Sequence, residues 1–288
     1  MLCSICQRTP AVGATGCCAA CAVPGAPPAG GPGYGGGPEA APGAGPLLAG
    51  PPPPYPGPLP GPVPRLASPV GLGRAVAALL GLCVLTDVFA LFAGTTMYGV
   101  ADKAIGQGVG ALSDREVDRA DLLQFVSGAT QTVALLACAV VFLVWFHRVR
   151  SNAEAFRPDG HRMSRGWSIG GWFVPVVNFW FPKKIANDVW AASRPQQPDG
   201  SPVRAPRTVM NWWWGLWIAT LVLGRAGGRM YARAESFEEI RRATGVLIAA
   251  DAVDIAAAVL AFLFVRRLTA LQDAKAHQGP VLPVAVTP

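Results

Sequence analysis

GWSIGGWFVPVVNFWFPKK, residues 166 to 184, is the stretch whose reading decides the fold. It is apolar enough to pass for a membrane span, yet Pro175, Asn178 and Pro182 lie inside it. Its apolar core, Trp167 to Phe181, is 15 residues long, short of the roughly 17 to 25 that a spanning helix needs. Pro175 removes a backbone donor and clashes one turn back, Gly170 and Gly171 weaken the helix before it, and Pro182 stops a helix from running through to Lys183. Backbone broken in this way survives in a bilayer only when it packs against protein or water. The stretch therefore reads as a hairpin that dips in and returns.

The rest of the chain supplies the membrane. Of 288 residues 51% are hydrophobic and 14% charged, and the mean hydropathy is +0.35, a balance unlike that of a soluble globular domain. Four apolar runs, about 72–97, 127–147, 209–228 and 244–266, each match the ~20 residues needed to cross ~30 Å of hydrocarbon. Trp145 and Phe146, and the cluster Trp212, Trp213, Trp214 and Trp217, fall at the ends of these runs, where amphipathic rings settle among headgroups. The expected fold is an all-α integral membrane protein with four transmembrane helices and a re-entrant or interfacial Trp/Pro-rich hairpin.

The net charge of +7 does not indicate nucleic acid, because the basic residues flank apolar runs instead of forming a stripe. Only Lys103, Lys183, Lys184 and Lys275 among the 24 basic residues are lysines; with abundant Ala, Gly and Pro this points to a high-GC bacterial source. No apolar signal segment heads the chain, so the first apolar run is expected to serve as an uncleaved anchor. If 167–182 returns and the N-terminus is cytoplasmic, 16 Lys and Arg lie inside and 8 outside; a crossing stretch would give 13 and 11. The positive-inside rule favours the return, in a multi-pass protein of the bacterial plasma membrane. Arg229, Arg233, Arg241 and Arg242, placed outside, are the discordant group. After the hairpin, KIANDVWAAS places Ile185, Val189 and Trp190 on one helical face, which predicts a helix lying in the headgroup plane up to about residue 193.

Residues 1–22 carry Cys3-x2-Cys6 and Cys18-x2-Cys21. Two such knuckles can close tetrahedrally around zinc, and in a reducing cytoplasm disulfides are disfavoured. Cys17 offers an alternative register, and no histidine precedes His147. A Pro/Gly-rich tether (23–68) follows; between Pro24 and Pro64, 28 of 41 residues are Gly or Pro, too few apolar groups to bury a core. The transmembrane domain is expected at 69–270 and a flexible tail at 271–288.

Chemistry inside the spans rests on Asp87, Asp251 and Asp254, because an acid at membrane depth costs at least ~2.5 kcal/mol and marks a functional candidate. Asp251 and Asp254 share one face, and the topology puts Asp87 and Asp251 at similar depth, able to line one polar cavity. The bland alternative is a structural hydrogen bond across helices, or an ion pair with Arg225. No discontinuous or Asn/Gln-rich repeat pair of the kind found in carriers accompanies them. GWSIG formally matches G-x-S-x-G with Ser168 as nucleophile, but that chemistry needs a strand, a sharp turn and converging His and carboxylate groups; the match reads as coincidental and no enzyme is expected. GRAGG at 224–228 is a small-xxx-small pattern suited to helix contact.

The cysteine knuckle, the tether, and W-x4-WF-x-P-x-x-N-x3-P, carried here by Trp167, Trp172, Phe173, Pro175, Asn178 and Pro182 and followed by DVWAAS with Trp190, resemble an actinobacterial family of multi-pass membrane proteins known as domain of unknown function 4328. The resemblance covers roughly residues 70–270. It implies that the hairpin is the family signature and a working surface, with Asn178 capping freed backbone groups and Lys183 and Lys184 set against anionic headgroups; it supplies no reaction or ligand. The expected function is a non-catalytic membrane scaffold or regulatory component. It would present the zinc knuckle to an unknown cytoplasmic protein through knuckle or tether. A proton-linked small-molecule or lipid carrier built on the three acids is the alternative.

Overall fold

A computed structural model describes residues 66–279. The cysteine knuckle, most of the tether and the end of the tail lie outside the described residues. Six α-helices follow in order: α1 (Val70–Gln107), α2 (Asp114–Phe156), α3 (Trp167–Gly170), α4 (Phe181–Ala192), α5 (Thr208–Tyr231) and α6 (Phe237–Gln278). α1 packs along α2 on one side and α6 on the other, α6 in turn packs along α5, and α2 and α5 make no extended contact. The ends of α1 and α6 near Gly73 and Thr269 meet at one end of the bundle, and those near Gly94 and Thr244 meet toward the other.

Three of these helices, α1, α2 and α6, are long and apolar enough to cross a membrane. The fourth apolar run forms α5, a helix of 24 residues and so ~36 Å long, but it is not among the three. All four helices outlast the apolar runs that seeded them. α1 has 38 residues, ~57 Å against ~30 Å of hydrocarbon, because charge alone does not end a helix. Specific stops do: Gly108 at φ 84°, a conformation that favours glycine, ends α1. Pro158 ends α2 by forcing Arg157 out of the helical region. Ser113 and Glu116 start α2 with a reciprocal capping box, and Ser236 caps α6 by accepting from the Glu239 amide.

The core is aromatic and lies at the end of the bundle where α4 docks. Trp145, Phe146, Trp190, Trp213, Trp214 and Phe264 are buried there. Trp213 stacks on Phe264 at 4.8 Å, and Trp145 meets the same ring edge-on at 5.9 Å. This corrects the expectation that the tryptophans at the run ends sit among headgroups. Packing claims most of them, and Trp212, 65% exposed, is the one of its cluster that faces outward. The small-xxx-small pattern is corrected too. A side chain at Gly224 or Gly228 would meet nothing within 4 Å, whereas one at Gly227 would lie 2.8 Å from Leu247. Gly227 makes the close approach of α5 to α6.

Candidate functional site: the hairpin platform and the helix-borne acids

Residues 166–184 enter and leave the bundle at the same end. Arg162, before the stretch, pairs with Asp188, after it, at 2.8 Å, and Arg165 pairs with Glu154 near the end of α2. The bond from Arg165 holds the Glu154 carboxyl below its ordinary range. Between these anchors the chain makes α3, a loop, a 3-10 turn at Val177–Phe179, and α4. Trp172 inserts between α2 and α5, edge-on to Phe142 (5.5 Å), Phe146 (5.9 Å), Trp214 (5.9 Å) and Trp217 (5.6 Å). Phe142 lies five residues before His147, where the apolar run of α2 ends, so Trp172 reaches ~7.5 Å past the end of that run.

The tip is strained. Val176 has φ 68° and ψ −50°, and the Val177 amide donates to the Pro175 carbonyl at 2.8 Å. That is a γ-turn of the rare kind, centred on a β-branched residue. Phe173 (70%), Val176 (65%) and Trp180 (55%) project from it, exposed and apolar. Asn178 does not cap the hairpin as expected: its Oδ1 is buried without a partner, and the loop amides are bonded to nearby carbonyls instead. Lys183 donates to Asn211 Oδ1 at 2.6 Å, so its ammonium is held by α5. Burial, and then the Arg207 charge, push its pKa down to about 8. α4 is amphipathic as predicted, with Ile185, Val189 and Trp190 buried, but that face packs on protein and not on headgroups.

Beneath α4 lies a buried amide network with no signal in the sequence. Asn152 on α2 accepts from the Ala67 amide at 3.1 Å and donates to the Ala67 carbonyl at 2.8 Å. It also donates to Gln272 Oε1, and Gln272 donates to the Val149 carbonyl and to Ser193 Oγ. Arg148 holds the Ser68 carbonyl. Ala67 and Ser68 are thus clamped to α2, and through Asn152 the network runs on to Gln272 of α6 and to Ser193 just after α4. Asn152 and Gln272 read as helix-surface polar residues, since nothing in a 3.6 period tells which polar residue a docked loop will cover.

Ser168 and His147 do come together, with His147 Nδ1 2.9 Å from Ser168 Oγ. Ser168 is fully buried and its hydroxyl donates to the Arg165 carbonyl at 2.7 Å. The proton a base would take is thus already engaged. The serine sits on a four-residue helix and not on a strand-to-helix elbow.

Further along the bundle, two of the three acids meet at a residue that carried no motif in the sequence, Gln131. Gln131 of α2 donates one hydrogen to Asp87 Oδ1 (2.9 Å) and the other to Asp251 Oδ1 (3.0 Å), tying α1, α2 and α6 together. Asp254 lies one turn along α6, faced by Thr220 of α5. Asp87 is 3% exposed and its Oδ2 has no partner, and Gln124 Oε1 and Thr244 Oγ1 are likewise buried and unpartnered. Gln124 and Thr244 stand seven residues before Gln131 and Asp251 on their helices, so they extend the same polar stripes by two turns. Arg225 makes no ion pair with the acids; its guanidinium donates to the Leu221 carbonyl. A lone Gln in the apolar run 127–147 was the available signal. Among the described residues no group of three His, Cys, Asp or Glu is placed to hold a metal, and Cys3, Cys6, Cys18 and Cys21 lie outside them.

Comparison of the chain with curated proteins and with solved structures finds no match to either. A family model described as Domain of unknown function (DUF4328) matches residues 109–270, which takes in α2 to α5, most of α6, the hairpin, Gln131 and two of the three acids but leaves α1 outside. With more than half of the chain matched, the protein belongs to the DUF4328 family.

Proposed function

We propose that this is a four-span integral protein of the bacterial plasma membrane, with α5 as the fourth span and N-terminus and hairpin cytoplasmic, acting as a non-catalytic scaffold or regulatory component. One observation carries the reading: the backbone of Ala67 is clamped by Asn152 within the buried Asn152–Gln272–Ser193 network. A tether needs no buried two-point anchor merely to precede a helix. A chain that displays something does, because the anchor fixes where the display begins. Upstream of it are a Gly/Pro tether and four cysteines at zinc-knuckle spacing. The hairpin and α4 then form a stiff cytoplasmic platform, its exposed Phe173, Val176 and Trp180 seated in the headgroup region.

The test uses the full chain crosslinked in intact cells. Protein purified without chelator is expected to carry about one zinc per chain, and Cys3→Ser with Cys6→Ser should abolish both the zinc and one defined crosslinked partner band. A metal-free wild type whose crosslinks match those of the double variant would end the scaffold reading.

The acids favour a second reading, a proton-linked carrier of a small molecule or lipid. Its support is the Gln131 bridge with the unpartnered Asp87 oxygen beside it. Asp87→Asn and Asp251→Asn should then abolish pH-gradient-dependent flux while the protein stays folded. Variants that are as stable or more so, with no phenotype, would leave the cluster as a structural link between helices.

A further inference from the structure

On the face where α1 and α6 meet, near the docked α4 end, lies a cavity of about 380 Å³ lined by Arg74 and Ala77 of α1 and by Arg266, Thr269, Ala270 and Asp273 of α6. Its floor is closely packed: a side chain at Gly73 would meet Thr269 Oγ1 at 2.7 Å, and that oxygen is fixed by the Trp145 indole N–H at 3.1 Å. Two guanidinium groups line it, and among the described residues neither Arg74 nor Arg266 takes part in an ion pair. Arg266 lies over the Phe262 ring at 5.6 Å, which orients its planar group. Arg74 stands in the first turn of the α1 apolar run and Arg266 closes that of α6, so both sit near where hydrocarbon gives way to headgroups.

From these observations we infer that the cavity is a binding site for the phosphodiester of a singly charged glycerophospholipid from the cytoplasmic leaflet. Planar guanidinium forks are matched to phosphate oxygens, and the volume is that of an ordinary small-ligand site. The acyl chains have a path. Helical spacing carries the lining stripe of α1 on through Gly81 to Val88 and that of α6 back to Val259; Val88 and Val259 are exposed apolar side chains, and Gly81 leaves the α1 surface open. Arg74 to Val88 is ~21 Å along the helix. A free phosphate ion would gain nothing from this track. Asp273 stands seven residues beyond Arg266, on the aqueous side; its carboxylate accepts hydrogen bonds from headgroup hydroxyls and repels a second phosphate charge.

The inference rests on the reading that this end of the bundle lies at the cytoplasmic headgroup level. The experiment is native mass spectrometry of the full chain from detergent, titrated with phosphatidylglycerol. One lipid per chain is expected, with affinity at least tenfold weaker in Arg74→Gln/Arg266→Gln and unchanged in the control Arg229→Gln/Arg242→Gln. Millimolar inorganic phosphate should fail to displace it. Equal binding by the Arg74/Arg266 variant, or loss to inorganic phosphate, overturns the lipid site while leaving the membrane reading intact. Extraction of the wild type from membranes by carbonate would instead overturn the membrane reading, and the lipid site with it.

Discussion

Val176 holds the least comfortable backbone among the described residues and the one most telling about the hairpin. A β-branched side chain at φ 68° clashes with its own backbone, a strain of ~1–3 kcal/mol. With 65% of its surface exposed, its packing against the protein offsets little of that. Val176→Gly removes the clash and gives back ~0.5–1 kcal/mol in chain entropy, so the expected net effect is stabilisation by ~1 kcal/mol, read as a raised Tm in detergent. A lowered Tm would mean that the valine side chain anchors the tip and that strain is not what the turn carries. The sequence marked the corners, Pro175 and Pro182, because proline chemistry is local. It did not mark Val176, since neither glycine nor asparagine, the residues that ordinarily take positive φ, stands at that position. Gln131 and Asn152 were obscure for a related reason: each acquires its role from a partner 44 to 120 residues away.

Helix pairing is set by small residues and the connections between helices by caps, and the two behave differently under mutation. At Gly227 an added Cβ would lie 2.8 Å from Leu247 Cδ2 and 3.3 Å from the Leu247 amide nitrogen. The side chain can yield but the backbone cannot, so Gly227→Ala should destabilise by ~1–3 kcal/mol. Gly224→Ala and Gly228→Ala, open on all sides, should be neutral or stabilising by up to ~1 kcal/mol. Equal effects at all three positions would contradict the α5–α6 packing. At the connection between α1 and α2, Glu116 closes the Ser113 capping box and pairs with Lys103 at 2.9 Å. Bonds from the Ser113 amide, Lys103 and the Ser113 hydroxyl lower its pKa from 4.5 to about 2. A depressed carboxylate contributes stability that is present above its unfolded pKa and is lost as pH falls through the folded one. The wild type should therefore lose stability between pH 4.5 and about 2, and Glu116→Gln should flatten that part of the stability curve; identical acid profiles would refute the assignment. At this scale the sequence was informative about which segments are helical, because apolar length is a strong signal. It was poor about their ends and faces. Charged helix extensions carry no apolar signal, and a tryptophan that plugs a bundle looks the same in sequence as one that sits at an interface.

The whole molecule turns on one topological fact, that residues 158–207 stay at one end of the bundle. Pairing of Arg162 with Asp188 brackets the hairpin, Lys275 near the end of α6 donates to the carbonyl of Ala192, the last residue of α4, and Gln278 exchanges bonds with Gln196. Crossing by 167–182 would separate partners that these contacts join. The loop around Gly200, exposed and turning at φ 79° within an isolated antiparallel bridge from Gln196 to Pro202, is a site that tolerates insertion. An epitope placed after Gly200 and a second at the N-terminus should report the same compartment, since no apolar run separates residue 1 from α1. Both should be hidden from antibody in intact spheroplasts and reached after permeabilisation, because that orientation leaves 16 of 24 basic residues inside. Opposite sides would refute the returning hairpin and would move the Arg74–Arg266 cavity and the Gly200 loop to different faces. The same side, but external, would keep the fold and invert the protein: the four arginines between 229 and 242 would then set the orientation, and the knuckle would lose the reducing compartment that zinc thiolates need.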